Sequence, residues 1–99
     1  MTTHNRHQVF AQILADNPGH SAAVQRRRMI AAFEQLGSFT TFEASRQLDV
    51  YDPRPRKLEL IALGYNIITV WDTAITEGGE ERRIGRYVLK TEPITESAA

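Results

Sequence analysis

The chain is 99 residues long, 41% hydrophobic and 24% charged, proportions that fit one globular domain with a packed core and exclude a disordered chain or a second independent core. Twelve Lys and Arg offset twelve Asp and Glu, and cysteine is absent, so no global charge announces a polyanion partner, and disulfides, thiolate nucleophiles and Cys-based metal sites are excluded. No apolar run approaches the roughly 18–20 residues needed to cross a bilayer, and the polar start, Met1 to Gln8, lacks the apolar centre of a signal peptide. A soluble, cytoplasmic protein with no membrane partner is expected.

Both ends, residues 1–8 and 91–99, are polar and read as poorly ordered arms. Val9, Phe10, Ile13 and Leu14 repeat at helical spacing over residues 8–15, and Asp16-Asn17-Pro18-Gly19 is a firm stop. Ser21 can cap a second helix over 22–36, with apolar Ala22, Ala23, Met29, Ile30, Phe33 and Leu36, ended by Gly37. Its three consecutive arginines, Arg26 to Arg28, lie 100° apart, so at most two share a face. Thr40-Thr41-Phe42-Glu43 has the form of a capping box and starts a helix at Thr41. That helix has only Phe42, Ala44 and Leu48 to bury before Asp49, so neighbours must hold it. Asp52-Pro53-Arg54-Pro55 opens another helix, since proline is tolerated in the first turn. It spans about 54–63, with Leu58, Leu60, Ile61 and Leu63 apolar and Gly64 as the stop.

From Tyr65 the period changes to the alternation of strands. Tyr65 to Trp71 and Arg83 to Leu89 are rich in β-branched and aromatic residues, and a mobile connection, Asp72 to Glu81, joins them. Domain organisation follows: an N-terminal arm with a short helix over 1–20, a domain over 21–90, and a tail over 91–99. The fold class is mainly α with a C-terminal β-hairpin. Three core helices preceded by a short N-terminal one and followed by a hairpin is the order of a winged helix-turn-helix.

In that order the third core helix presents its N-terminal end to a DNA major groove. Charge is distributed accordingly, +2 over residues 21–63 and −2 over 64–99, with two basic clusters. Arg54, Arg56 and Lys57 open the third core helix, and Arg46 lies on the helix before it. Arg82, Arg83 and Arg86 lie on the second strand, where they can reach backbone phosphates or a minor groove. A guanidinium can donate two parallel bonds to guanine or phosphate. On a helical wheel centred on Leu60, Arg54 points outward, making it the base-reading candidate, while Arg56 lies on the inner flank and Lys57 near the core edge. Pairing with Glu59 or Asp52 is the plainer role for this cluster, and pairing with Asp72, Glu77 or Glu80 for the wing. Trp71 is expected to plug the core or a sheet edge rather than serve as a base-stacking platform.

Over about residues 25–89 the chain resembles a family of small helix-turn-helix domains found largely in phages and prophages. Thr40, Glu43-Ala44, Arg56, Glu59-Leu60, Gly64-Tyr65 and Tyr87-Val88-Leu89 carry the resemblance. It implies a three-helix winged fold, a double-stranded DNA partner and no enzymatic activity. Asp49 stands where that pattern has a turn glycine, and Asp52-Pro53 where it has a basic residue and leucine. Asp49 tolerates left-handed backbone, and Asp52 serves as a helix cap.

His4, His7 and His20 lack carboxylates or thiols at ligand spacing, so no metal is expected. Ser21, Ser38 and Ser45 have no partner histidine, and Gly78-Gly79 lacks the context of a phosphate loop. No catalytic residue and no cofactor is therefore expected. A regulator of transcription or a phage-related regulator is the leading expectation, with a winged-helix protein-interaction module as the alternative. One domain makes few DNA contacts, so a homodimer or protein partner is the expected route to specificity. Val9, Phe10, Ile13 and Leu14 are the candidate dimer surface, with packing onto the domain as the simpler use. Thr40→Ala should cost about 1 kcal/mol of stability, measured as a lowered urea-denaturation midpoint.

Overall fold

A computed structural model describes residues 5–90 of the chain. His4 and the tail expected over 91–99 lie outside them. The elements run α1 (Arg6–Asp16), α2 (Ala22–Leu36), β1 (Ser38–Thr40), α3 (Thr41–Gln47), α4 (Pro53–Ala62), β2 (Ile67–Ile75) and β3 (Glu81–Leu89). The strands form one antiparallel sheet in the order β1-β3-β2.

Each helix start has a side-chain cap. Asn5 accepts from the Gln8 amide, Ser21 from Val24, and Asp52 from Arg54. The capping box is complete: Thr40 accepts from the Glu43 amide at 3.0 Å, and Glu43 accepts from the Thr40 amide at 2.9 Å. Glu43 also accepts two bonds from Arg6, at 2.9 and 3.1 Å. This corrects the expectation of a loose polar arm for residues 6–8. The Asn5 cap lets α1 begin at Arg6, and the ion pair ties that end to α3.

Phe10, Ile13, Met29, Phe39, Leu48, Val50 and Leu60 are completely buried. Phe10 and Ile13 are spent on the core of the domain, which removes them from the candidate dimer surface. Phe39 stacks at 4.5 Å on Phe33 and meets Tyr87 edge-on at 6.2 Å. That run of rings fastens α2 to β1 and β3. On α4, Pro53 and Leu60 are buried while Leu58 and Ile61 are exposed, as is Leu63 just past its end. A ten-residue helix on the surface of so small a domain has one buried stripe, and the other leucines lie off it.

Strand β1 was not expected, because three residues are too few to display alternation. It exists because β3 supplies its partners, Ser38 with Val88, Phe39 with Tyr87 and Thr40 with Arg86. The hairpin is also longer than expected. Pairing continues out to Ile75 with Glu81, so the connection shortens to residues 76–80. Beyond Trp71 most side chains of the ribbon meet solvent, Ile84 being the buried exception, so no sustained apolar alternation marks the strands there.

Arg28 is only 3% exposed yet has no carboxylate partner among the described residues. Its guanidinium donates to the carbonyls of Asn17 at 2.9 Å, Gly19 at 2.8 Å and Leu48 at 3.2 Å. It joins the α1–α2 turn to the end of α3. Arg28→Met should lower stability by about 3 kcal/mol, since it leaves buried carbonyls unpaired, and Arg28→Lys by less; guanidinium denaturation measures both.

Candidate nucleic-acid interface

Between α3 and α4 the chain turns at Asp49, the one non-glycine residue among those described with left-handed backbone, at φ 55°. The aspartate that stands where the resemblance implies a turn glycine therefore adopts the left-handed conformation. Asp52 caps α4 and Pro53 is buried in its first turn. The other end of α4 closes when the Tyr65 amide reaches the Leu60 carbonyl and the Gly64 amide the Ile61 carbonyl, at 3.0 and 2.9 Å, with Gly64 left-handed at φ 108°.

These turns set the start of α4 beside the hairpin, and a cavity of about 500 Å3 opens between them. Residues of one face of a strand recur every second position. On β3 that places Arg83, Gly85, Tyr87 and Leu89 on the helix-facing side, opposite Thr73, Trp71, Thr69 and Ile67 of β2. Tyr87, Leu89 and Ile67 pack in or against the core. Farther out, the same face lines the groove with Thr69, Trp71, Arg83 and Gly85, and α4 contributes Arg54 and Lys57. Phe42 of α3 completes the wall.

The seven sequence-predicted residues separate accordingly. Arg54, Lys57 and Arg83 share the groove with one carboxylate, Asp52. Arg46 stands at its α3 side, with its guanidinium 5.1 Å from the centre of the Phe42 ring. Arg56 turns inward to Glu59, donating to Oε2 at 2.9 Å. Its Nε lies 2.8 Å from Oε1 but has no aligned hydrogen-bond partner. Arg26 reaches the same carboxylate at 2.7 Å, so Glu59 joins α2 to α4. Arg86 lies on the opposite sheet face, bonded to Asp72 and Ser38 at 3.0 Å each. Arg82 pairs with Glu80 at 3.1 Å near the hairpin tip.

Arg54 is 77% exposed and grips Asp52 with Nε at 3.0 Å and Nη2 at 3.1 Å. So exposed a pair is readily exchanged for another acceptor. Lys57 donates to Thr69 Oγ1 at 3.3 Å and sits 5.0 Å from the Tyr87 ring centre. Arg83 lies 4.9 Å from that of Trp71. Trp71 is 64% exposed, which corrects the expectation of a core or edge plug. Its cross-strand neighbour is Gly85, which has no side chain to cover it. The tryptophan and the aromatic supports of the cations were missed by sequence reading; the signal available was the parity that puts Trp71 and Arg83 on one face.

A family model described as a winged helix-turn-helix domain matches residues 24–92, and the chain belongs to that family. Its four helices and hairpin wing are a DNA-binding architecture. No curated protein and no solved structure was found to match the chain. Among the described residues, no helix is long and apolar enough to cross a membrane.

Arginine partners hold several carboxyls below their ordinary range. Burial alone would raise Glu43, but hydrogen bonds from Arg6 and the Thr40 amide outweigh it and lower its pKa. Asp52 is lowered by Arg54, Glu59 by Arg26 and Arg56, and Asp72 by the Thr73 amide and Arg86. In each case the unfolded chain takes up a proton first as pH falls, so the stability these pairs confer is complete at neutral pH. It is lost as pH falls through the depressed values, starting from 3.8 for the aspartates and from 4.5 for the glutamates. The urea midpoint should therefore drop below pH 4.5, and drop less in Glu43→Gln, when both proteins are titrated in parallel.

Proposed function

We propose that the protein binds double-stranded DNA without catalysis, as a transcriptional or phage-related regulator, with α4 in the major groove and the hairpin along the backbone. The observation that carries this reading is the distribution of cations left without a carboxylate. Among the described residues these are Arg27, the buried Arg28, Arg46, Lys57, Arg83 and Lys90. Lys57 and Arg83 line one groove, Arg46 lies over Phe42 of its wall, and each of the three is beside an aromatic ring. An aromatic face supports a cation without neutralising it, so these charges remain available to phosphate.

Arg54 has a different role. It sits on the outward side of α4, and its bidentate grip on Asp52 transfers to guanine O6 and N7 when the helix enters the groove. Lys57 and Arg83 hold phosphates beside it, and Arg46 contacts the backbone where α3 crosses it. Arg56 and Arg86 maintain the scaffold through Glu59 and Asp72.

Zero net charge and the exposed Tyr51, Leu58 and Leu63 favour a second reading, a protein-interaction module on the same scaffold. Binding to duplex DNA across a salt series separates the two. Lys57→Ala and Arg83→Ala should each weaken binding to all sequences and reduce the salt slope by about one. Arg54→Ala should shrink the preference for a selected site by about tenfold, and Arg27→Ala should change nothing. Absence of salt-dependent duplex binding by the unaltered protein would leave the protein-interaction reading.

A further inference from the structure

The groove contains more aromatic surface than phosphate recognition requires. Phosphates need donors and positive charge, which Lys57 and Arg83 supply. Yet Phe42, Trp71 and Tyr87 also line it, and Trp71 offers its indole largely to solvent. Apart from the Arg83 guanidinium 4.9 Å from its ring centre, no core packing accounts for an exposed tryptophan there. Gly85 opposite it keeps the adjoining space open, because a Cβ at that position would meet Thr69 Cγ2 at 3.4 Å, Thr41 Cγ2 at 3.7 Å and Trp71 Cζ3 at 4.0 Å. Any larger side chain would grow into the groove. An exposed aromatic ring beside cations that line the same groove is the arrangement that stacks a nucleobase. Bases inside a duplex present edges, and only a base outside the stack presents a face.

We propose that this groove holds an unpaired nucleotide, its base stacked on Trp71 and its phosphate held by Lys57 and Arg83. The inference rests on the nucleic-acid reading above and narrows it to DNA with an unstacked base, such as a single-stranded overhang, a frayed end or a mismatch. The cavity of about 500 Å3 lies within the usual range for sites that enclose groups of this size.

The chain has a single tryptophan, so its fluorescence reports directly on this position. Three probes are compared at one salt concentration: a blunt duplex, the same duplex with a short thymidine overhang, and the same duplex with an abasic overhang of equal charge. The overhang should bind about tenfold more tightly than the blunt duplex and quench the tryptophan. The abasic overhang should behave like the blunt end. Trp71→Leu should make the overhang bind no better than the blunt duplex while leaving thermal stability unchanged, Trp71→Phe should retain part of the advantage, and Gly85→Val should lose it by filling the groove. Equal binding of thymidine and abasic overhangs, or an overhang advantage that survives Trp71→Leu, overturns the proposal. If blunt duplex still binds with a salt slope, the DNA reading stands without it; if no probe binds, both fall.

Discussion

The interface depends on the alternation of β3. Tyr87 packs its ring against Phe39, and from that anchor every second residue outward shares its face. Gly85 therefore opens the groove floor and Arg83 reaches its rim, while Arg82, Ile84 and Arg86 face the other way. A one-residue slip would bury Arg86 and carry Arg83 to the back of the sheet. Register is fixed by the core at one end, by β1 along one edge and by nine paired positions with β2 along the other. One face is thus hydrophobic core where helices cover it and a cationic, aromatic groove where they end.

Charge neutrality conceals a second level of organisation. Arg6, Arg26, Arg54, Arg56, Arg82 and Arg86 each have a carboxylate, and several of those pairs connect elements: α1 to α3, α2 to α4, β2 to β3. The exposed ones add little stability but orient their partners. What remains is a small unpaired set, part of it concentrated where α3, α4 and the hairpin meet. The acidic residues Glu77, Glu80 and Glu81 at the far end of the hairpin make the base of the wing, rather than its tip, the surface that suits a polyanion.

The helices were legible because their signals are local. Thr40 and Glu43 form a capping box three residues apart, Gly37 and Gly64 stop helices where left-handed backbone is needed, and Asp52 sits one residue before a first-turn proline. Strand β1 was illegible because its existence depends on a partner almost fifty residues away. The outer hairpin was illegible because, apart from the buried Ile84, its residues are mostly solvated and alternation is erased. Among the site residues, the wheel placed Arg54 outward and Arg56 inward from Leu60 alone. For the wing, residue type drew Arg82, Arg83 and Arg86 into one cluster, whereas parity divides them. Trp71 was assigned to the core on hydrophobicity; its exposure follows from a tertiary fact, that no helix extends over that part of the sheet.

The central claim is that the groove-facing side of α4 and β3 is where nucleic acid binds. Backbone amide shifts recorded while duplex DNA is titrated at low salt test it most directly. The account predicts changes concentrated at Phe42, Arg54, Lys57, Trp71, Arg83 and Gly85, with the opposite sheet face, Ile68, Val88 and Arg86, nearly silent. Changes centred on that opposite face, or confined to Leu58 and Leu63 at the exposed end of α4, would contradict it.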